Sequence, residues 1–326
     1  MVLAVTRRGA FSIAAVGILA AVALGAGAPS NAAGAAEPKS ASPAATAAPE
    51  SPQAGDVPLL VSTAWVAEHL EDPEVLLLHV AMLNMAPPEA FIPGAAVLDY
   101  HSIETSEGLA IELPSPQQLV SVFRVSGVSN DKHVVLYGGG AAHIAARAFV
   151  TLEYLGHPRV SVMDGGIQTW AHEGRPTVSE AGKATPGDFV PKINTDILVD
   201  AAWIKERLGD PRIALIDARP ASQYAGRSNR GLREGHIPGA GNIYFVELLE
   251  SEDLPRLKPR TEAEALFAAA GAEPGDTIVS YCQIGMRASY NYLIARHLGY
   301  EVKFYDASWQ EWGADESLPA QTGSGR

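Results

Sequence analysis

Only one cysteine, Cys282, occurs in 326 residues. No internal disulfide can form, and covalent sulfur chemistry on this chain has no resolving thiol of its own. Cations are also scarce: 24 Lys and Arg stand against 37 Asp and Glu, a formal net charge of −13. A polyanionic partner needs a basic surface that this composition does not supply. Nucleic acid is therefore not expected as a partner, whereas a local pocket for a small anion stays allowed. No second His or Cys stands at ligand spacing from His236, so no metal is expected, nor any cofactor.

Long apolar runs are confined to residues 10–28, which follow Arg7 and Arg8 and precede small residues. This is the pattern of an export signal over residues 1–32, with small-x-small cleavage sequences at Ser30-Asn31-Ala32 and Ala33-Gly34-Ala35. Export by the general secretory or the twin-arginine route is expected, to a periplasmic or secreted location, and retention as an anchor is the alternative. Residues 33–56, rich in Ala, Pro and Ser, read as a flexible tether. The mature protein is then expected to have no stable membrane span.

What the chain does have is one stretch built for a sulfur anion. The β-branched run Thr277-Ile278-Val279 leads through Ser280-Tyr281 to Cys282, and Gln283, Ile284, Gly285, Met286 and Arg287 separate the cysteine from a helical pattern. A strand, a tight six-residue loop and a helix start are expected there. The amides of residues 283–288 could turn in around the sulfur, and the positive end of the helix dipole and Arg287 would favour thiolate. Lone cysteines are usually inert packing. Here the flanking strand, the Gly at the fourth loop position and the Arg at the sixth favour a nucleophile.

The chain also repeats. Residues 60–73 align without gaps on residues 198–211, each with Leu-Val first, a Trp at the sixth position and Asp-Pro last. Ile92-Pro93-Gly94-Ala95 returns as Ile237-Pro238-Gly239-Ala240, Leu155-Gly156 as Leu298-Gly299, and Asp164 to Trp170 as Asp306 to Trp312. Short apolar strands alternate with helical patterns in each copy, which implies an α/β fold with mainly parallel sheets flanked by helices. In the second copy strands are expected over 213–217, 278–281 and 302–305, and helices over 201–208, 262–270 and 289–298. The expected organisation is a first domain over 57–178, a linker over 179–192, a second domain over 193–318 and a flexible tail over 319–326.

Asp217-Ala218-Arg219 with Tyr224 and Gly226, then Gly235-His236-Ile237-Pro238-Gly239-Ala240, the Cys282 loop and Asp164-Gly165-Gly166 with Trp170 occur in an order that resembles the two-domain rhodaneses, a sulfurtransferase family. The resemblance covers residues 57–318. It implies two tandem rhodanese-like domains, with the nucleophile on the second and a catalytically silent first. The first copy has Tyr137-Gly138-Gly139-Gly140 in place of Tyr281-Cys282, and His79-Val80-Ala81 in place of Asp217-Ala218-Arg219. A loop without a thiol cannot do nucleophilic sulfur chemistry, so the first copy is expected to wall the site; for Arg147 a solvated place on the helix surface is the favoured reading, and a contribution to the site the alternative.

By the same resemblance, Cys282 and Arg287 are the expected catalytic residues. Gln283, Ile284, Gly285, Met286 and Arg219 are the expected substrate contacts, with Asp217 and His236 in support. In the family the residue before the aromatic of this motif often carries a charge that binds the donor. Here it is Gln223, and Arg227, Arg230 or Arg233 are the candidates to replace that charge. The expected partners are a small anionic sulfur donor and a cyanide or thiol acceptor. Thiosulfate is the expected donor, because Arg287 suits a compact dianion better than the single carboxylate of 3-mercaptopyruvate. The competing readings are a 3-mercaptopyruvate sulfurtransferase and a noncatalytic persulfide carrier or thiol sensor. A phosphatase is disfavoured, since four residues between Cys282 and Arg287 make a shorter ring than the five of tyrosine-phosphatase-like loops.

Overall fold

Repeated strand-helix units have few ways to bury both faces of a sheet, and the computed structural model shows the one expected for parallel strands. It describes residues 57–85, 87–139, 142–228 and 233–325. The export signal and the tether lie outside them, as does Arg230. Among the described residues no helix is long and apolar enough to cross a membrane.

The first copy runs β1 (Leu60–Val61), α1 (Thr63–Glu68), β2 (Val75–Ala81), β3 (Ala96–Asp99), α2 (Pro116–Val125), β4 (His133–Gly138), α3 (Ala142–Tyr154), β5 (Val160–Met163) and α4 (Gly166–His172). The second runs α5 (Ala201–Glu206), β6 (Ile213–Asp217), α6 (Ala221–Tyr224), β7 (Gly241–Asn242), α7 (Arg260–Ala269), β8 (Thr277–Tyr281), α8 (Ala288–Leu298), β9 (Glu301–Phe304) and α9 (Ser308–Trp312). The sheet orders are β1-β5-β4-β2-β3 and β7-β6-β8-β9, and every pairing is parallel. The second sheet keeps the place of β1 as a single bridge, Leu198 to Phe304. The two copies therefore share one topology.

Local signals set the element ends. The Asp200 carboxylate accepts the Trp203 amide at 2.7 Å and starts α5, as Ser62 does for α1 with Trp65. Gly299 ends α8 at φ 101°, a conformation that costs a side chain and that glycine adopts freely. Helix α7 begins two residues and β9 one residue before the sequence expectation. The stretch over 179–192 lies along the first copy: Gly182 and Gly187 donate to Ala95 and Arg124 carbonyls, and Phe189 is fully buried.

Helices α3 and α8 pack on each other and fuse the inner faces of both sheets into one apolar core, which includes Phe149, Leu152, Tyr292 and Leu293. Smaller clusters sit on the outer faces, around Trp170 in one copy and around Trp309 and Trp312 in the other. The ends of β4 and β8 thus face the partner copy.

Candidate active site

Cys282 follows the last residue of β8 at the carboxyl end of the second sheet, where ligand sites of open α/β sheets collect. It is 1 % exposed and belongs to the main core, so a donor must enter through the half-buried loop side chains Gln283, Ile284, Met286 and Arg287. The backbone holds the loop from behind. Cys282 and Gln283 carbonyls accept the amides of Trp309 and Gln310 at 3.0 Å, at the start of α9. The Ser308 hydroxyl accepts two loop amides, Cys282 at 3.1 Å and Gly285 at 3.0 Å, and donates to the Tyr305 carbonyl.

The Gly285 contact corrects one expectation. The Gly285 amide is committed to Ser308 and does not turn in around the sulfur. The amides of Gln283, Ile284, Met286 and Arg287 have no acceptor among the described residues. They remain free for an anion beside the first turn of α8. Arg287 is half-buried and makes no ion pair among the described residues, so its guanidinium keeps its full donor fork for a ligand.

Gly285 is required twice. Its φ is +78°, and a Cβ there would lie 2.7 Å from an Asp306 carboxylate oxygen and 3.2 Å from Arg147 Nη1. The second of these contacts comes from the first copy. Arg147 is fully buried, not on the surface as expected, and bridges the copies: Nη1 donates to Asp306 at 2.5 Å and Nη2 to the Ile111 carbonyl at 2.9 Å. The Leu113 amide reaches the other Asp306 oxygen, and Ala110 and Gln310 exchange two hydrogen bonds. Ile111 is held at φ 60°, a strained setting for a β-branched residue that these clasps enforce.

Arg219 departs further from expectation. It is 1 % exposed, its Nε and Nη2 chelate the fully buried Asp217 carboxylate, Nη2 also donates to the Gly235 carbonyl at 2.8 Å, and the guanidinium lies 4.6 Å from the Trp309 ring centre. Nε and Nη2 hold Asp217 and the loop at 235, Nη1 makes no hydrogen bond among the described residues, and the charge lies close enough to Cys282 to interact with it. Asp217 completes that internal pair. His236 is buried, stacks on Tyr224 at 3.7 Å and donates from Nδ1 to the Tyr224 carbonyl, with burial lowering its pKa. Arg233 donates to the Leu318 and Trp312 carbonyls, and Arg227 is exposed. No cluster of three or more potential metal ligands occurs among the described residues.

The loop lies apart from a cleft of about 550 Å³ between the copies, lined by Glu153, Tyr292 and Arg296 among others.

The rhodanese-like domain family matches the chain twice, over residues 62–173 and 200–315. The chain belongs to the rhodanese family. Among its rhodanese relatives, the sulfur carrier protein TtuD of Thermus thermophilus is 34% identical over 81% of this chain and 97% of the relative. The 3-mercaptopyruvate sulfurtransferase of Escherichia coli K12 is 30% identical over 80% and 97%. A putative thiosulfate sulfurtransferase of Synechococcus elongatus is 31% identical over 82% and 86%. Among solved rhodanese folds, the crystal structure of Escherichia coli SseA, a 3-mercaptopyruvate sulfotransferase, superposes with a TM-score of 0.69 at 28% identity, over 77% of this chain and 99% of that one. Two tandem rhodanese domains and sulfurtransferase chemistry follow for this chain.

Sequence reasoning missed Ser308 and the burial of Arg147. The repeat held a signal for the first: Asp306-Ala307-Ser308 stands opposite Asp164-Gly165-Gly166, a serine where the silent copy has glycine.

Proposed function

We propose that this rhodanese takes the outer sulfur from thiosulfate and passes it to cyanide or a small thiol through a persulfide on Cys282. The Cys282 thiolate forms a bond to the outer sulfur, the S–S bond of thiosulfate breaks, and its electron pair leaves with sulfite. The persulfide anion then rests among the free amides of Gln283, Ile284, Met286 and Arg287, which stabilise it as an oxyanion hole stabilises its anion. Cyanide attacks the outer sulfur, the persulfide bond breaks, and thiocyanate leaves with the thiolate restored. The outer sulfur stands about 2 Å beyond Sγ, so an acceptor need not penetrate as far as the donor did.

One observation carries the choice of donor: the Arg287 guanidinium, half-buried and without an ion-pair partner among the described residues, closes the loop. Its fork suits the sulfonate-like end of a compact dianion. The test is kcat/KM for thiosulfate against 3-mercaptopyruvate, with cyanide as acceptor and intact mass to detect one added sulfur. Thiosulfate should be preferred, and a clear preference for mercaptopyruvate overturns the donor assignment. The second reading, delivery of persulfide sulfur to a protein, is favoured by the similarity to a sulfur carrier protein. It predicts loading of Cys282 without turnover on cyanide. Export to the periplasm or the medium completes the proposal, and sequencing of the mature N-terminus, expected near Ala33, tests it.

A further inference from the structure

The chemistry above leaves one titratable group between the copies without a task. His143 lies in the first turn of α3, four residues before Arg147, so both side chains project from one face of that helix. That face carries Arg147 to Gly285, in the middle of the Cys282 loop. One turn earlier, His143 packs on Phe245, whose ring in turn meets Tyr290 in the first turn of α8, and it lies close enough to Arg287 for the guanidinium to act on it electrostatically.

The ring is fixed in place. It packs edge-on against Phe245 of the second copy, with centroids 4.8 Å apart and planes at 72°. The side chain is only partly covered, yet Nδ1 is shut off from solvent and has no hydrogen-bond partner among the described residues. Burial, and then Arg287, lower its pKa to about 4, so near neutral pH the imidazole carries one N–H and no charge. An uncharged donor beside an unpaired cation suits an anion with several oxygens, since it adds a hydrogen bond without a second charge to desolvate. Packing alone would need no nitrogen at this position; phenylalanine would serve against Phe245.

We propose that His143, on the copy that lacks a thiol, donates a hydrogen bond to the oxygens of the anionic sulfur donor held by Arg287. It is a binding residue for the loading step and has no part in discharge. This rests on the sulfurtransferase reading above.

The test separates the two half-reactions in the full chain. Persulfide formation is followed by intact mass in a single turnover over a range of thiosulfate concentrations, and discharge by adding cyanide to preloaded protein. His143→Phe should raise the half-saturating thiosulfate concentration about tenfold, the loss of one hydrogen bond to a charged acceptor. The maximal loading rate should stay within about twofold, and His143→Gln, which keeps an N–H donor, should recover most of the loss. An unchanged half-saturation in His143→Phe overturns the proposal. So does an equal slowing of loading and discharge, which marks a packing role, as does a His143→Gln variant no better than His143→Phe. If the wild type gains no sulfur from thiosulfate at all, the thiosulfate donor assignment itself fails and this proposal falls with it.

Discussion

The loops after β4 and β8 occupy equivalent places in two copies of one fold, and only one of them can hold a sulfur anion. Both carboxyl ends carry a tyrosine whose hydroxyl accepts an amide from the Ile-Pro-Gly-Ala turn: Tyr137 from Ile92 at 3.1 Å and Tyr281 from Ile237 at 3.2 Å. Both have an aspartate that takes an amide from the opposite copy, Leu257 to Asp164 at 2.8 Å and Leu113 to Asp306 at 2.9 Å. The frame is thus reciprocal and the contents differ. Counting back from the Leu-Gly pair that ends α3 and α8, Arg147 corresponds to Tyr290, a buried side chain that lines a small cavity beside Asp164, Gly165 and Gly166. Cys282 corresponds to Gly138, and the buried pair of Asp217 and Arg219 replaces His79 and Ala81. Loss of the thiol went with loss of the charges around it, while the clasp between the copies stayed.

The most severe break in this comparison is Cys282→Ser, which makes the second loop as silent as the first. Transfer should disappear and no sulfur should be gained on intact mass, with the melting temperature nearly unchanged because serine is close in size. Arg147→Ala should come next, through stability. It leaves the Asp306 carboxylate, 17% exposed, without its cation, and the cost read from the denaturant midpoint should be about 2–4 kcal/mol. Arg287→Ala removes a charge that lacks an ion-pair partner among the described residues, so the fold should hold while kcat/KM for thiosulfate drops roughly ten- to a hundredfold.

The silent copy has its own weak point in acid. Burial lowers the pKa of His79 to about 4, below the unfolded value of about 6.5, so the unfolded chain takes up the proton first as pH falls. The stability tied to a neutral His79 is complete above pH 6.5 and is lost as pH drops toward 4. His79→Phe, which preserves packing on Tyr137 and Phe91, should reduce the loss between pH 7 and 5 by about 1–2 kcal/mol in denaturant titrations.

The finest probe is Ser308→Gly. Ser308 sits at φ 58° and its counterpart Gly166 at φ 56°, so the working copy keeps a strained serine where the silent one uses glycine. The substitution relieves strain but orphans the amides of Cys282 and Gly285. Turnover should fall about three- to tenfold while stability moves by less than about 1 kcal/mol, and a variant with full turnover would show that the hydroxyl is dispensable.

Much of this was legible in the chain. Apolar strands and capping residues mark the elements, the duplication gives the topology twice, and a lone thiol between strand and helix marks the loop. What stayed hidden depends on long-range partners. Arg147 reads as a surface arginine on a largely apolar helix because Asp306 lies 159 residues away. Ser308 acts on amides 23 and 26 residues distant. The inward setting of Arg219 stayed hidden for a different reason. Its partner Asp217 is two residues back on the end of the same strand, and the closeness of that pair, with Trp309 behind it, turns the arginine inward.

The exchange of aspartate contacts between the copies has a consequence for how this protein can change. Each half finishes the other's loop from a distance, so neither is a spare part that could be deleted, secreted alone or swapped for a homologous half without opening both. The protein behaves as a heterodimer written on one chain. Mutations that retune the thiol loop can therefore accumulate in the half that has none, along the face of α3.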